Sequence, residues 1–365
     1  MSTRFDVVIV GAGMAGASLA AELASHCSVA LLEAEDRPGY HATGRSAAFW
    51  AETYGGPLVQ PLTSASGAWL AEHGFLGPRG GLNLARAEDG ARLDAFFARY
   101  ADAGVNVERI GRDRIEGIMP GVRPQWREAA WEPDCRDIDV AALHAHYLAA
   151  ARRAGAELHC RARLAEARHE SGRWQVTVEA GETLACDTLV DAAGAWADPV
   201  AGRSGLCPLG IVPLRRTIAQ LRTRPAPPDT LPLVLDISGT FYFKPENGRL
   251  WLSPHDETPS LPCDAAAEEL DVAEAIDRFE RVVDWRVEGV EHRWAGLRSF
   301  APDRLPVIGR DPANPAFFWF AGQGGFGIQT APAAARMAAQ ALLGLAPDAM
   351  TAALDPVRYG PWRFH

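Results

Sequence analysis

The sequence predicts a mixed α/β (α+β) protein in which a Rossmann-type nucleotide-binding domain is interleaved with an antiparallel-sheet domain. Three observations predict it. The first 33 residues form a strand, glycine loop, helix and strand; apolar strands return within 157–192 and at 317–320; and between 211 and 297 the pattern changes to hairpins. The 365 residues correspond to about two domains at ~150 residues each, and 48% hydrophobic residues with 11 Trp supply a sizeable core.

Phe5 to Val10 (FDVVIV) is a continuous apolar run rich in Val and Ile, the pattern of a central parallel strand covered on both faces. Gly11-Ala12-Gly13-Met14-Ala15-Gly16 leads from it into the Ala-rich, helix-periodic stretch Ala17 to Ser25, and a second apolar strand, Ser28 to Leu32, ends at Glu33. Gly11 permits a tight turn, Gly13 lets the backbone approach a pyrophosphate, and Gly16 lets helix pack on strand. The helix N-terminus offers unpaired N–H groups and a positive dipole end to phosphates. Glu33, 22 residues past Gly11, is placed to accept hydrogen bonds from ribose hydroxyls and would repel a 2′-phosphate. A strand-to-helix turn with no ligand is the competing reading, and the strand before, the helix after and the acid at this distance outweigh it. NADP is disfavoured, while NAD and FAD both remain open on the motif. A nicotinamide domain would ordinarily continue into another αβ repeat, whereas residues 37–48 (RPGYHATGRSAA) form an irregular small-residue segment that fits a loop beside a flavin ring.

Asp139 to Gly155 has an acidic N-cap, apolar spacing through Val140, Leu143, Tyr147 and Leu148, and a glycine stop, so it predicts a helix. His144 and His146 lie on it without Cys, Asp or Glu at ligand spacing, and no metal is expected. Glu157 to Cys160, Trp174 to Val178 and Thr188 to Ala192 read as strands returning to the nucleotide domain, the last delivering Ala193-Gly194-Ala195-Trp196 to the ligand. Phe241 to Lys244 and Arg249 to Ser253 alternate around the turn signal Pro245-Glu246-Asn247-Gly248, which puts Tyr242 on the face opposite Phe241 and Phe243. The aromatic strand Phe317 to Phe320 runs through the glycine-rich segment Gly322 to Thr330 into a helix, Ala331 to Leu343. No flexible linker divides the chain, so each domain is expected to be discontinuous. Residues 1–80, 145–205 and 299–365 form the nucleotide-binding domain, and 81–144 and 206–298 form a substrate domain whose antiparallel sheet roofs the ligand.

Thirty-six basic against 46 acidic residues leave a net charge of −10 with no basic stripe, which argues against nucleic acid or an anionic membrane as partner and for a small molecule. The longest apolar run, Val7 to Ala21, is 15 residues broken by glycines, too short to cross a bilayer. The six cysteines are scattered, without a C-x-x-C pair, and read as reduced, buried thiols of a cytoplasmic protein.

The ordered motifs G-A-G-M-A-G-A-S with Glu33, G-Y-H-A-T-G-R-S-A-A at 39–48, D-A-A-G-A-W at 191–196, F-Y-F-K-P at 241–245, W-A-G-L-R-S-F at 294–300, P-D-R-L-P-V-I-G at 302–309 and G-Q-G-G-F-G-I-Q-T at 322–330 cover nearly the whole chain. In them the sequence resembles the FAD-dependent D-amino acid oxidase superfamily, and within it the bacterial D-arginine dehydrogenase type of D-amino acid dehydrogenase. The resemblance implies that FAD is held by Gly11, Gly13, Ala15, Gly16, Glu33 and Ala34, by Thr43, Gly44, Arg45, Ser46 and Ala48, by Leu164, Ala193, Gly194 and Trp196, and by Arg298 and the run Gly324, Gly325, Phe326, Gly327, Ile328, Gln329 and Thr330. The glycines of that run bring a helix N-terminus to the edge of the ring where negative charge develops on reduction. No cysteine sits near Arg298 or in 302–309, where flavin-tethering relatives carry one, so FAD is expected to be non-covalent. Asp191 stands where the family usually has Asn, which puts one backbone-pinning hydrogen bond at stake.

Arg216 and Arg298 sit in apolar stretches, where an unpaired guanidinium is costly and a substrate carboxylate would offset the cost. Pairing with a structural Asp or Glu is the competing reading, and for Arg216 its neighbour Arg215 is an alternative inward residue. Tyr242 and a lid tyrosine, Tyr54, complete the implied catalytic set, and Asp303 is read as structural. Phe49, Ala51, Gly81 and Gly325 are expected to shape the substrate pocket. D-arginine dehydrogenases place Glu at the position of Gly81, and His and Thr at those of Phe49 and Ala51. All three changes remove polarity, so neutral, hydrophobic D-amino acids are expected to be oxidised to 2-oxo acids and ammonia, and long basic ones to be poor substrates. Glu52 would point away from Ala51. Glycine, sarcosine, a cyclic secondary amine or a 2-hydroxy acid would suit the same clamp, and a flavin-binding protein without turnover is the reading from another class. The acceptor is O₂ or a quinone or other carrier; the oligomeric state is not legible.

Overall fold

A computed structural model describes residues 3–364. The strand Thr3–Val10 lies between Thr183–Asp191 and Val29–Leu32, parallel to both, with Val10 opposite Asp191 on one side and Leu32 on the other. Glu157–His159 extends this sheet beyond Val29–Leu32, and Phe317–Ala321 pairs in parallel with Thr183–Asp191. The strands expected from the apolar runs are thus adjacent, and Leu164–Glu170 and Arg173–Val178 complete the other edge as antiparallel neighbours. Val8 and Ile9 of the central strand are fully buried, one on each face, which is why it reads as an unbroken apolar run.

The first helix spans Met14–Leu23, starting three residues before the apolar periodicity begins because Gly13 already serves as its N-cap. It packs against Val140–Arg153, the helix capped by the Asp139 carboxylate on Ala142 N (2.9 Å), and against Ala331–Leu343. His144 Nε2 pairs with the carbonyl of Ala12 at 2.9 Å, so this histidine props the glycine loop. Among the described residues no group of three or more His, Cys, Asp or Glu is arranged to hold a metal.

The second sheet has ten strands, in the order 323–324, 286–300, 212–224, 249–253, 242–246, 233–236, 81–86, 126–132 and 108–111, with 258–259 paired to 212–224. It is antiparallel except where Leu233–Asp236 runs parallel to Gly81–Arg86, a pairing that ties the early segment 81–132 to the later hairpins. The hairpin is longer than its turn signal suggested. Strand Tyr242–Glu246 carries Pro245 within it, and the turn is Asn247-Gly248 alone, both at positive φ (51° and 70°). Phe241 and Phe243 enter the core with Trp126 and Phe279, while Tyr242 faces the opposite cluster with Phe49 and Ile218. A small sheet of 49–50, 136–138 and 76–78 lies beside the two large ones.

The cysteines depart from the expectation of burial. Cys135 and Cys186 are buried and Cys27 half-buried, but Cys160, Cys207 and Cys263 are exposed, and all six are free. No helix of the described residues is long and apolar enough to cross a membrane.

Candidate active site

A long groove runs past the C-terminal end of the parallel strands. Gly11 has φ +102°, and a Cβ there would meet the Ala192 backbone, so only glycine makes the turn. At Gly13 a Cβ would project toward Thr43 Oγ1, 3.2 Å away; that hydroxyl accepts from Met14 N at 2.9 Å in the first helical turn. Glu33 ends the second strand with its carboxylate accepting from Ala12 N (3.2 Å) and Glu35 N (3.0 Å), which fixes it at the groove wall. Gly11, Gly13, Ala15, Glu33, Ala34, Thr43, Arg45, Ser46, Leu164, Ala193, Gly194 and Trp196 all line this groove, with Arg298, Gly324, Gly325, Gly327 and Ile328 at its far end.

Six of the residues expected at the cofactor do not line it: Gly16, Gly44, Phe326 and Thr330, and also Ala48 and Gln329, which line the neighbouring cavity instead. Gly16 and Gly44 are spacers: a Cβ at 16 would run into the Gly11 carbonyl and one at 44 into the Gly39 carbonyl. Thr330 is buried with its hydroxyl on the Phe326 carbonyl, and Phe326 packs edge-on against Tyr54 at 5.4 Å. Arg45 lines the groove, yet its guanidinium is engaged elsewhere. It pairs with Asp264 and donates to the carbonyls of Ala265 (2.8 Å) and Ala295 (3.1 Å), binding the 263–265 segment across the groove. Cys263 of that segment is itself at the groove wall, so a thiol does lie there, contributed by a loop that is distant in sequence from Arg298.

Asp191 keeps the bond that was at stake, its Oδ1 accepting from Ala193 N at 3.0 Å. Its other oxygen is buried without a partner. Burial pushes this carboxyl well above the ordinary range, with Asp198 adding to the effect and the Ala193 N–H opposing it, which favours the uncharged form in the place of the amide.

A second, smaller cavity opens from the groove and shares Arg45, Ser46, Gly296 and Arg298 with it. Tyr54, Arg216, Tyr242, Arg298, Phe49, Ala48, Ile218, Gly325 and Gln329 line it, and no carboxylate is among its lining residues. Arg298 Nη1 donates to Tyr54 Oη at 3.1 Å, and its Nε is buried with no partner. Arg216 donates from Nε to the Asp256 carbonyl at 2.8 Å, lies 5.7 Å over the Tyr242 ring, and leaves a buried Nη2 without a hydrogen bond. Arg215 turns the other way to Glu268 and Asp271, so Arg216 is the inward arginine. Burial raises the Tyr242 hydroxyl, partly offset by Arg216, so it stays neutral.

Two residues expected in the pocket lie elsewhere. Gly81 is buried within its sheet, packed between Cys135 and Glu132, and Ala51 lies behind Phe49, its N–H donating to Gln329 Oε1 at 3.2 Å. Glu52 hydrogen-bonds Ser64 and does not reach the cavity. Asp303 holds Arg363 at 2.6 Å and Leu305 N at 3.0 Å.

Three acids escaped the sequence reading. Glu257 accepts from Arg298 Nη2 at 2.6 Å and Arg304 Nη2 at 2.8 Å and lies 3.5 Å from Arg216 Nη2. Burial, which raises its carboxyl, is outweighed by these three arginines, which hold it below the usual range. Asp256 is 3.8 Å from Arg216. Their run, His255-Asp256-Glu257-Thr258, reads as a solvated turn, and only its place at the end of a sheet strand beside the two arginines hints otherwise. Glu132 is buried and accepts the backbone of residues 52 and 53. His255 is held neutral, at about 3, by burial and the two arginines, with its Nδ1 on the Gly239 carbonyl.

A glycine-walled groove fixed at one end by an acid-terminated strand and opening at the other into a guanidinium-lined apolar cavity defines a dinucleotide-dependent oxidoreductase. Residues 6–341 match the family of FAD dependent oxidoreductases (DAO), and the chain belongs to it. FAD is the cofactor of this family, and the groove fits it: the turn at Gly11 leaves no room for a side chain, and Gly13, Gly194, Gly324, Gly325 and Gly327 keep the walls open along its length. The chain is 26% identical over 353 residues to the glycine oxidase of Geobacillus kaustophilus, covering 91% of each. It is 25% identical to mouse mitochondrial dimethylglycine dehydrogenase, covering 98% of this chain and 44% of that one. The crystal structure of the Geobacillus glycine oxidase superposes with a TM-score of 0.86 over 98% of both chains.

Proposed function

We propose that this FAD-dependent oxidoreductase oxidises small neutral D-amino acids to 2-oxo acids and ammonia by way of the imino acid. The observation that carries the reading is a cavity with two buried arginines bearing unsatisfied donors, apolar walls and no lining acid. Arg298 and Arg216, with the hydroxyls of Tyr54 and Tyr242, receive the substrate carboxylate; a bidentate guanidinium fixes both position and orientation. Phe49 and Ile218 face the side chain, and a guanidinium or ammonium tail would meet no counter-charge there. When bound, FAD supplies the chemistry by accepting the hydride equivalent from the α-carbon. The amine must be neutral at that moment. Tyr242, itself neutral, can hydrogen-bond the amine but is no base, so the proton leaves to water. The D configuration rests on the resemblance to the D-arginine dehydrogenase type, and the FAD is read as non-covalent.

Glycine or sarcosine is the second reading. It is favoured by the glycine oxidase relative and by the close ring of Phe49 with Tyr54 (4.8 Å) and Tyr242 (6.3 Å), which suits a small α-substituent. The test is anaerobic mixing of the holoenzyme with D- and L-amino acids, D-arginine, glycine and sarcosine while flavin absorbance is followed. Fast bleaching by neutral D-amino acids and slow bleaching by D-arginine is expected. Preference for glycine or sarcosine moves the assignment to the second reading, and fast bleaching by D-arginine overturns the neutral-tail argument.

A further inference from the structure

Tyr54 lies on a turn that has little structure of its own. It is followed by Gly55 and Gly56, both at positive φ (106° and 84°), so the chain just beyond the tyrosine is intrinsically free. One bond is internal, from Tyr54 N to the Ala51 carbonyl (3.1 Å), and the other bonds of the turn come from outside it. Gln329 accepts from Ala51 N (3.2 Å) and donates to the Tyr54 carbonyl (2.9 Å). Tyr100 Oη donates to the Thr53 carbonyl (2.6 Å). The remaining donors converge on one carboxylate: Glu52 N reaches Glu132 Oε1 at 2.6 Å, Thr53 N the same oxygen at 3.4 Å, and Thr53 Oγ1 the Oε2 at 2.5 Å.

Glu132 ends a strand of the second sheet and is 1% exposed. Among the described residues no arginine, lysine or histidine pairs with it. The titratable groups that face it are Glu52 on the turn, Tyr100 on the helix Gly90–Tyr100 and Cys135 on the loop after its own strand; Lys244, Asp137 and Arg136 face Cys135 from the far side. A carboxylate buried without a cation is costly and is compensated here by its hydrogen bonds alone, all of which come from the two residues before Tyr54.

We infer that Glu132 is a positioning residue for substrate binding, which acts through the 52–53 backbone to hold the Tyr54 hydroxyl against Arg298. This rests on the reading that Tyr54 and Arg298 receive the substrate carboxylate. Bonds to an ionised acceptor are about twice as strong as those to a neutral one, so the turn is held best when Glu132 is charged. Burial pushes its carboxyl up to about 7, opposed by the bonds from Thr53 and Glu52, so this grip changes across neutral pH.

The test uses the holoenzyme and butyrate, a carboxylate ligand without an amine, with binding read from the perturbation of the flavin spectrum between pH 6 and 9. Wild-type affinity is expected to rise with pH through a step near 7. Glu132→Gln keeps the shape but neutralises the acceptor, and it is expected to weaken binding about three- to tenfold at pH 8 and to flatten the step. In a Tyr54→Phe background the same substitution is expected to add less than about twofold, because its target hydroxyl is gone. Thr53→Val, which removes one of the three bonds, provides a milder variant if Glu132→Gln does not fold; it is expected to weaken butyrate about two- to threefold. Equal losses with and without the Tyr54 hydroxyl, or an unchanged pH step in Glu132→Gln, overturn the inference. A Glu132→Gln enzyme that loses D-arginine turnover but keeps neutral substrates would instead make Glu132 a substrate anion. If wild type neither binds butyrate nor is bleached by any amino acid, it is the substrate-site reading that fails.

Discussion

Gly325 offers the sharpest single perturbation of the candidate site. A Cβ placed there would overlap Arg298 Nη1 and lie 3.1 Å from its Cδ and 3.2 Å from its Cζ. Gly325 is not in the left-handed region, so alanine brings no backbone strain, and the displaced atoms are the end of a flexible side chain. The guanidinium therefore moves and the loop stays. What is lost is the Arg298 bond to Tyr54 Oη, and with it the alignment of the donors that meet a carboxylate. A hydrogen bond to a charged group is worth about 1.5–3 kcal/mol, which converts to a roughly 10- to 150-fold loss of affinity. Moving Arg298 off its rotamer costs the fold only about 0.5–1.5 kcal/mol. The assay is anaerobic flavin reduction over a range of substrate concentrations, alongside thermal unfolding and flavin content. Gly325→Ala is expected to raise the apparent Kd by that factor with FAD retained. A Kd within twofold of wild type in a fully FAD-loaded variant would refute the placement of Arg298 as the carboxylate clamp.

Asp191→Asn is expected to stabilise the protein at neutral pH, and by more the higher the pH. Burial raises the Asp191 carboxyl in the folded state, so below its ordinary value near 3.9 both states are protonated and nothing is lost. Above that pH the unfolded carboxyl ionises while the folded one cannot, and stability falls by about 1.4 kcal/mol per pH unit until the folded group titrates. Melting temperatures of both proteins at pH 4, 6 and 8 check this, and a constant difference would refute it. Acid precipitation is expected to release all the FAD into the supernatant. A yellow pellet from wild type that turns white in Cys263→Ala would show instead that the thiol at the groove wall tethers the cofactor.

The nucleotide half was legible because its signals are local. A doubly covered strand must be apolar throughout, a pyrophosphate turn must be glycine, and both stand within the stretch from Phe5 to Glu33. The helix Val140–Arg153 was likewise announced by its own cap and stop. The strands 81–86 and 126–132 were not announced, since Trp126-Arg127-Glu128-Ala129-Ala130-Trp131-Glu132 mixes charge and bulk without a clean period and is ordered by pairing with strands far along the chain. Arg216 and Arg298 stood out as charges in apolar surroundings, and Tyr242 by alternation. Glu257 and Glu132 did not, because an acid in a polar turn or at a strand end looks solvated until the chain folds. The partner of Glu132 is 80 positions away. Gly81 was placed in the pocket by position in a motif, yet the sheet buries it, and the acid across from it, Glu132, was invisible to that argument.

The groove has walls from Val10 to Ile328, taken in turn from segments near 33–46, 162–164, 192–203, 263–265, 296–299 and 320–328. No contiguous stretch contains it. During synthesis the glycine cradle emerges well before the wall at 320–328, so the groove cannot be complete until that later segment has left the ribosome. Until then, apolar strands destined for the centre of a parallel sheet have long-range partners that do not yet exist. A chain cut before residue 320 therefore lacks the last wall of the groove, however well its first βαβ unit forms.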